Sequence, residues 1–458
     1  MLNNLKSTIE NNFKFRLNKN QLAETERLIF EIIKREKINL KKLLIFLKKN
    51  SNIDKCSSGN KFSTLKQTLL ELRFPLTQAA ERIDAQRVFL NKLKLPLRDN
   101  WQVNKDFKPL KIFVETKAKE SYIINNLRKK FPKIETEEVT SCAEYIKKNK
   151  FTVSELKKPF IFVVKENCDF IKICPCTKGH LYCGYWIFNL GFGCPFDCSY
   201  CFLQQYSNFP GITLPANLDN FFERCDEFLA QFKKPLRIGT GEFCDSLALD
   251  DITEYSKKII PYFAKKNVLF ELKTKSSSID NLLKITPPSN IVISWSLNPQ
   301  SIIKTEEKAT ASLKLRLEAA KKVQATGFRV GFHFDPIIHI KDWPKLYKEV
   351  IDKLYAYCKP PFSWISLGTL RCHRELKGIS QVRFPKSDIF YGELLLGKDK
   401  KLRYPNFLKV EIYQKMLEFI RRHDKKTPIY LCMEDNEVWS RVKGLVPFSE
   451  IENSLAKL

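Results

Sequence analysis

Gly193-Cys-Pro-Phe-Asp-Cys-Ser-Tyr-Cys-Phe-Leu-Gln204 sets Cys194, Cys198 and Cys201 in the spacing C-x3-C-x2-C, just after the strand-like apolar run Tyr185-Trp-Ile-Phe-Asn-Leu190. A loop this short can wrap three thiolates around one face of an iron–sulfur cubane. Three cysteines hold three irons of a [4Fe-4S] cluster and leave the fourth iron open for a substrate, unlike the four-cysteine ligation of electron-transfer clusters. The alternative is a zinc site with Cys183 as fourth ligand. Zinc signatures commonly pair two C-x2-C type knuckles, and only one such short pair stands here.

Outward from this loop, the chain after residue 184 alternates between two textures. Leu236-Arg-Ile-Gly239, Val268-Leu-Phe-Glu-Leu272, Ile291-Val-Ile-Ser-Trp-Ser296, Phe328-Arg-Val-Gly-Phe-His333 and Trp364-Ile-Ser-Leu367 read as buried strands. Amphipathic helices fit between them at 219–232, 250–264, 311–325 and 343–357. Such alternation predicts a parallel sheet, open or closed into a barrel, with reactive groups at the C-terminal ends of its strands. Upstream, Leu110-Lys-Ile-Phe-Val114 and Phe160-Ile-Phe-Val-Val164 flank a helical stretch at Ser121–Phe131, the pattern of a small α/β unit. Residues 1–105 are helical in period, with Leu22, Leu28, Ile29, Ile32 and Ile33 on one face and Leu43, Leu44 and Leu47 on the next segment. The expected organisation is a basic helical module at 1–105, an α/β unit with a cysteine-rich connector at 106–182, a catalytic barrel and substrate-contacting region at 183–440, and a tail at 441–458.

Composition bounds what such a chain does. Its 458 residues include 43% apolar residues and 35 Phe, ample for a buried core. Neither a secretory leader nor an uncharged apolar run of ~20 residues is visible, so a soluble cytoplasmic protein without membrane partners is expected. Fourteen cysteines in a chain of this length suit reduced thiols better than a secreted disulfide scaffold. Lys and Arg exceed Asp and Glu by 79 to 51, a net +28 that favours a polyanionic partner such as nucleic acid. A genome-wide preference for Lys, Asn and Ile is the competing explanation. Residues 1–100 carry 21 Lys and Arg against 10 Asp and Glu, a net +11 that makes this the most basic of the expected modules.

The cysteine spacing, with an aromatic before its third cysteine, resembles the radical S-adenosylmethionine (SAM) superfamily, in which the open iron chelates SAM and one electron splits it to a 5′-deoxyadenosyl radical. Gly239-Thr-Gly-Glu242 at the end of the next strand matches the Gly-Gly-Glu type motif that meets the SAM amino group. Further matches are Cys198-Ser-Tyr-Cys-Phe-Leu-Gln204, Asp245-Ser-Leu-Ala-Leu-Asp250, Leu272-Lys-Thr-Lys275, Trp295-Ser-Leu-Asn298, Leu317-Glu-Ala-Ala-Lys-Lys-Val323, Gly331 and Pro336-Ile-Ile-His339. In order and spacing these resemble spore photoproduct lyase and its relatives over roughly residues 108–435. The resemblance implies an α/β fold, a radical SAM partial (β/α)6 barrel with the small α/β unit and the helical module added at its N-terminal side. It implies a [4Fe-4S] cluster on Cys194, Cys198 and Cys201, and SAM contacts from Gly239, Gly241, Glu242, Lys275, Ser296 and Asn298. The implied activity is that of a carbon–carbon lyase in DNA repair: cleavage of a thymine-type photodimer in DNA, with electrons from a donor such as flavodoxin or ferredoxin.

Two departures bear on the substrate. Spore photoproduct lyase returns a hydrogen atom from a cysteine that begins a Cys-Thr-Ser-Asp run; aligned on Asp245, this chain reads Glu242-Phe-Cys-Asp245. Cys244 would share a face with that position if the strand ran on, and is the candidate donor. The tyrosine that follows the third cluster cysteine in the family is Phe202 here, which cannot relay a hydrogen atom, leaving Tyr200 as the second catalytic candidate. Another radical SAM substrate, RNA or a small molecule, is the rival reading; a non-catalytic metal-containing nucleic-acid-binding protein is a second. Cys168, Cys174, Cys176 and Cys183 form an upstream group, read as small buried thiols, with an auxiliary cluster or zinc as the alternative. Arg371-Cys-His-Arg374 and the turn-like Lys398–Tyr404 region are candidates for phosphate contact.

Overall fold

The computed structural model describes residues 4–80, 88, 90, 107–149, 160–166, 170–176, 179–206 and 211–447. Cys168, residues 91–105 of the helical module and residues 448–458 of the tail lie outside the described residues. The chain divides into two compact units, one of Met1–Asp99, Ile338–Lys341 and Leu370–Lys409, the other of Asn100–Ile337, Asp342–Thr369 and Val410–Leu458.

The first unit is built on the helices Leu5–Phe13, Lys19–Glu36, Leu40–Asn50 and Lys61–Arg73. The Lys19–Glu36 helix begins with a capping box: Asn18 accepts from the Gln21 amide and the Gln21 side chain accepts from the Asn18 amide. Its stripe of Leu28, Ile29, Ile32 and Ile33 is buried in one core with Leu43, Leu47, Leu65 and Leu69, as the 3.6-residue period requires, while Leu22 is only half-buried. Ion pairs complete this core. Glu31 accepts from Arg73 Nε at 2.6 Å and from the Lys377 ammonium. Glu393 accepts from Thr77 Oγ1 at 2.8 Å and lies 3.6 Å from Arg35. Arg371–His373, Lys401–Arg403 and Leu395–Leu396 form a small antiparallel sheet, so the stretch expected to be turn-like is half turn and half strand.

The second unit holds an eight-stranded sheet. Seven parallel strands run Ile429–Leu431, Ile365–Thr369, Arg329–Ile337, Ile291–Ser296, Val268–Thr274, Leu236–Thr240 and Tyr185–Phe188, with Ile171–Ile173 antiparallel at the edge. All six residues of Ile291–Ser296 are buried, as expected of a parallel sheet covered on both sides. The helices Leu218–Leu229, Tyr255–Phe263, Leu313–Ala325 and Trp343–Tyr357 are the crossovers the alternation predicts. The single helix expected at 250–264 is two, Asp250–Thr253 and Tyr255–Phe263, because Glu254 adopts φ 50° between them. A second, four-stranded parallel sheet pairs Thr136–Val139, Lys111–Glu115, Phe160–Val164 and Gly211–Pro215. Its last strand comes from beyond the cysteine loop, so the small α/β unit is completed by a segment of the catalytic region. No helix among the described residues is long and apolar enough to cross a membrane.

Candidate active site

Cys194, Cys198 and Cys201 occupy one loop between the first parallel strand and the short Leu203–Tyr206 helix. The loop starts with two glycines in the left-handed region, Gly191 at φ +118° and Gly193 at φ +96°. A Cβ at Gly191 would stand 2.1 Å from the Thr213 carbonyl oxygen, and one at Gly193 2.5 Å from that of Gly211, so only glycine lets the loop pass this close to the neighbouring strand. The Gly193 amide donates to the Phe243 carbonyl at 2.9 Å, and the Gln204 side chain donates to the Cys198 carbonyl at 2.5 Å. Burial pushes the Cys194 and Cys198 thiols well up, while the Lys275 and Arg316 charges pull Cys198 down. Cys194 feels both other thiols, and Cys198 feels Cys201. Three soft donors on one short loop, backed by two cations that favour thiolate, fit an iron–sulfur cluster. Among the described residues no three His, Cys, Asp or Glu side chains converge on one metal ion; a cubane asks for less, one thiolate on each of three irons.

The loop is tied down by a buried carboxylate that the sequence reading missed. Glu307 accepts from the Tyr200 hydroxyl, from Asn298 Nδ2 at 2.8 Å and from Arg316 at 2.5 Å, and its strand pairs antiparallel with Cys198. Ser199 donates to the adjacent Glu306 through its hydroxyl and, at 2.8 Å, through its amide. Burial opposes ionisation of Glu307, yet Arg316 and Lys275 overcome it and hold the carboxyl at about 2. Asn298, expected among the SAM contacts, uses both ends of its amide here, since Oδ1 accepts from Tyr347 at 2.8 Å. Tyr200, the expected hydrogen relay, is 9% exposed with its hydroxyl committed to Glu307. Both side chains brace the loop.

The glycine-rich turn ends the Leu236–Thr240 strand. Gly239 is needed because a Cβ there would meet the Tyr185 hydroxyl at 2.0 Å; Gly241 adopts φ +94° with the Lys273 carbonyl 2.6 Å from its would-be Cβ. Asp245 locks this turn to the next strand, accepting from Thr274 Oγ1 at 2.6 Å and from the Lys275 amide at 2.7 Å. Glu242 faces Lys273, with Nζ 3.4 Å from Oε2. Burial would lower the Lys273 ammonium, but the surrounding carboxylates of Glu242, Glu271 and Asp335 raise it. Lys275 lies beside Cys198 and Glu307, and Ser296, 5% exposed, sits where Arg316 grips its carbonyl at 2.8 Å. The structure thus gathers Lys275 and Ser296 near the cysteine loop, with Glu242 joined to Lys273.

Deeper in the sheet lies a closed polar group. Glu271, 1% exposed, accepts from Ser294 at 2.5 Å, is bonded to His333 Nε2 at 2.6 Å and pairs with Arg237 at 3.4 Å. Arg237 donates to Tyr430 at 3.0 Å and stacks 4.1 Å from the Trp364 ring. The signals were a lone Glu in Val268-Leu-Phe-Glu-Leu and a lone Arg in Leu236-Arg-Ile: a charge inside an apolar strand must be paired.

The cysteines fall into separate places. The strand stops at Thr240, and the left-handed Gly241 breaks the two-residue alternation that would have put Cys244 beside position 242. Cys244 instead shares a small cavity with Leu190, Leu249 and Tyr255, among others. Phe202 packs edge-on to Phe243, ring centres 6.4 Å apart. Cys174, Tyr185 and Ile187 form a buried patch on which Cys176, Cys183, Phe243 and Met433 pack. The Cys174 and Cys176 sulfurs are 3.7 Å apart, and Glu242 and Lys273 both act on the Cys174 thiol.

A family model for spore photoproduct lyase matches residues 107–414. The spore photoproduct lyase of Clostridium acetobutylicum is 29% identical over 164 residues, 35% of this chain and 49% of its own; that of a Geobacillus species is 26% identical over 214 residues, 44% and 62%. The aligned stretch thus spans about half the length of the curated relatives it matches. A solved spore photoproduct lyase complexed with dinucleoside spore photoproduct superposes with a TM-score of 0.62 at 22% identity, over 71% of this chain and 99% of that one. Another, a doubly substituted variant, has AdoMet and the dinucleoside bound, with a TM-score of 0.61 at 22% identity over 72% of this chain and 99% of that one. The expected half-barrel is therefore the fold, and with two thirds of its length matched by the family model the chain belongs to the spore photoproduct lyase family.

Proposed function

We propose that this chain is a radical SAM lyase that cleaves a thymine-type photodimer in DNA, holding a [4Fe-4S] cluster on Cys194, Cys198 and Cys201. The observation that carries the reading is a three-thiol loop set against the Gly239–Glu242 turn in a chain of this family. Bound there, cluster and SAM together supply hydrogen-abstracting radical chemistry, with the electron coming from a reducing protein of the flavodoxin or ferredoxin kind.

The chain's own residues hold and shield that chemistry. Glu242 offers a carboxylate to the SAM amino group, with Lys273 Nζ 3.4 Å from it. Lys275 places a cation beside the cysteine loop for the SAM carboxylate, and Ser296 offers a hydroxyl one strand away. The Glu307 group ties the loop down, and the Glu271–Arg237–His333 group is buried and paired within the sheet. For the hydrogen atom returned to product we favour the Cys174–Cys176 pair over Cys244, because Cys174 belongs to the buried patch on which Phe243 packs and its thiol lies in the field of Glu242. The photodimer must leave its duplex to be reached, a smaller cost for a distorted lesion.

Anaerobic incubation of reconstituted protein with SAM, reductant and ultraviolet-damaged DNA, followed by mass spectrometry, tests the reading: restored thymines should appear with 5′-deoxyadenosine. The replacements at Glu242 and Phe202 favour another radical SAM substrate as the second reading. It would show as SAM cleavage that damaged DNA neither consumes nor stimulates.

A further inference from the structure

Residues 4–80 lie outside the family match, yet they form one unit with residues 370–409, which lie inside it. This unit carries 32 Lys and Arg against 14 Asp and Glu, a net +18 in 143 residues; the other carries 47 against 37, a net +10 in 315. A genome-wide preference for lysine would enrich both alike, so the asymmetry belongs to the unit itself. Several of its acids are turned to internal use. Glu31 is buried between Arg73 and Lys377, Glu393 holds Thr77 and Arg35, Glu24 pairs with Lys66 at 2.9 Å and Asp399 with Arg403 at 2.8 Å. The positive excess is left to the surface.

Four of these cations, with no acid among them, lie on the helix Leu40–Asn50. Leu43, Leu44 and Leu47 face the core, and the opposite side presents Lys41, Lys42, Lys48 and Lys49, all exposed, with no acidic residue in the helix. None of these four lysines has an ion-pair partner among the described residues. Between them stand Ile45 at 59% and Phe46 at 45% exposure, two of the few large apolar side chains left open.

We propose that this face of Leu40–Asn50 docks on the sugar–phosphate backbone of duplex DNA, the lysines meeting phosphates and Ile45 and Phe46 lying on deoxyribose. The inference rests on the DNA reading above, which makes a duplex the polyanion at hand. Lysine is a flexible point charge suited to phosphates without regard to sequence, and displaced counterions supply the driving force. An anionic membrane also attracts a basic helix, but insertion needs a broad apolar face, and here that face is spent on the core, leaving two side chains.

The test is fluorescence anisotropy of an undamaged duplex with the full chain, titrated from about 50 to about 200 mM salt. Combined K41A/K42A/K48A/K49A substitution should weaken binding and lower the slope of log affinity against log salt by about 0.9 for each lysine on a phosphate, up to about 3.6. The control K233A/K234A/K265A/K284A, exposed lysines of the other unit, should leave the slope unchanged. An unchanged slope in the first variant overturns the proposal, as does unchanged duplex binding accompanied by lost binding to phosphatidylserine vesicles. A parent chain that binds no duplex also overturns it. One that shows the lysine-dependent slope but leaves photodimers intact overturns the lyase reading and leaves this surface standing.

Discussion

At the scale of single residues, the thiols have distinct surroundings, and those surroundings predict distinct phenotypes. Replacing Cys194, Cys198 or Cys201 by Ala removes one of three cluster ligands, so each variant should lose the visible absorption of the reconstituted cluster and all 5′-deoxyadenosine formation. Retention of either in any of the three would contradict the assignment. Cys244→Ala enlarges a small cavity lined by Leu190, Gly193, Pro195 and Tyr255, among others, and should leave the repaired product at the parent yield. Cys174→Ala with Cys176→Ala should divert product to radical adducts while SAM cleavage continues; the reverse pattern, read by product mass, would return the donor role to Cys244. Tyr200→Phe strips Glu307 of one buried donor, a loss of about 1–3 kcal/mol in stability. It should lower the melting temperature without changing the product distribution, whereas a relay role would alter the products.

At the scale of elements, the turn after Leu236–Thr240 is the most sharply constrained piece. Gly241→Ala puts a Cβ against the Lys273 carbonyl oxygen in a left-handed conformation, costing at least about 1–2 kcal/mol. Because Asp245 and Glu242 ride on the same turn, the variant should bind SAM more weakly in equilibrium dialysis even where the cluster assembles. Parent-like SAM affinity would detach this turn from the cofactor. The same turn marks the limit of what the sequence made legible. Buried strands of five to nine residues between amphipathic helices announced themselves by period and composition, from Leu236–Thr240 to Ile365–Thr369. Two others did not: Gly211–Pro215 and Ile429–Leu431 owe their strand state to neighbours distant in sequence. The cluster loop was legible because its chemistry is local. The Glu307–Arg316 and Glu271–Arg237 pairs were not, because a buried charge is explained only by a partner that packing brings from another element. Cys244 was misplaced for a local reason, the alternation of a strand carried two residues past its end.

At the scale of the whole molecule, the added helices are joined to residues 370–409 by buried charge, and this makes the first unit sensitive to acid. Burial raises the Glu31 carboxyl, but Lys377 and Arg73 outweigh it and hold it below its usual value of 4.5. A carboxyl lowered by folding contributes stability above its unfolded value, and that stability is lost as the pH falls below 4.5 toward the lowered value. Glu31→Gln leaves Arg73 and Lys377 buried without their counter-charge, at a cost of about 3–5 kcal/mol, and should flatten this acid limb in thermal melts followed by circular dichroism. A parent-like melting profile would show that the network is not what holds residues 370–409 to the helices. The central claim, radical cleavage of a thymine photodimer, is tested most directly on the isolated dinucleoside spore photoproduct, which needs no duplex and no docking surface. Incubated anaerobically with SAM, a strong reductant and the reconstituted chain, it should be converted to the unlinked thymine dinucleotide with 5′-deoxyadenosine formed alongside. Formation of 5′-deoxyadenosine with the dinucleoside left intact would contradict the account.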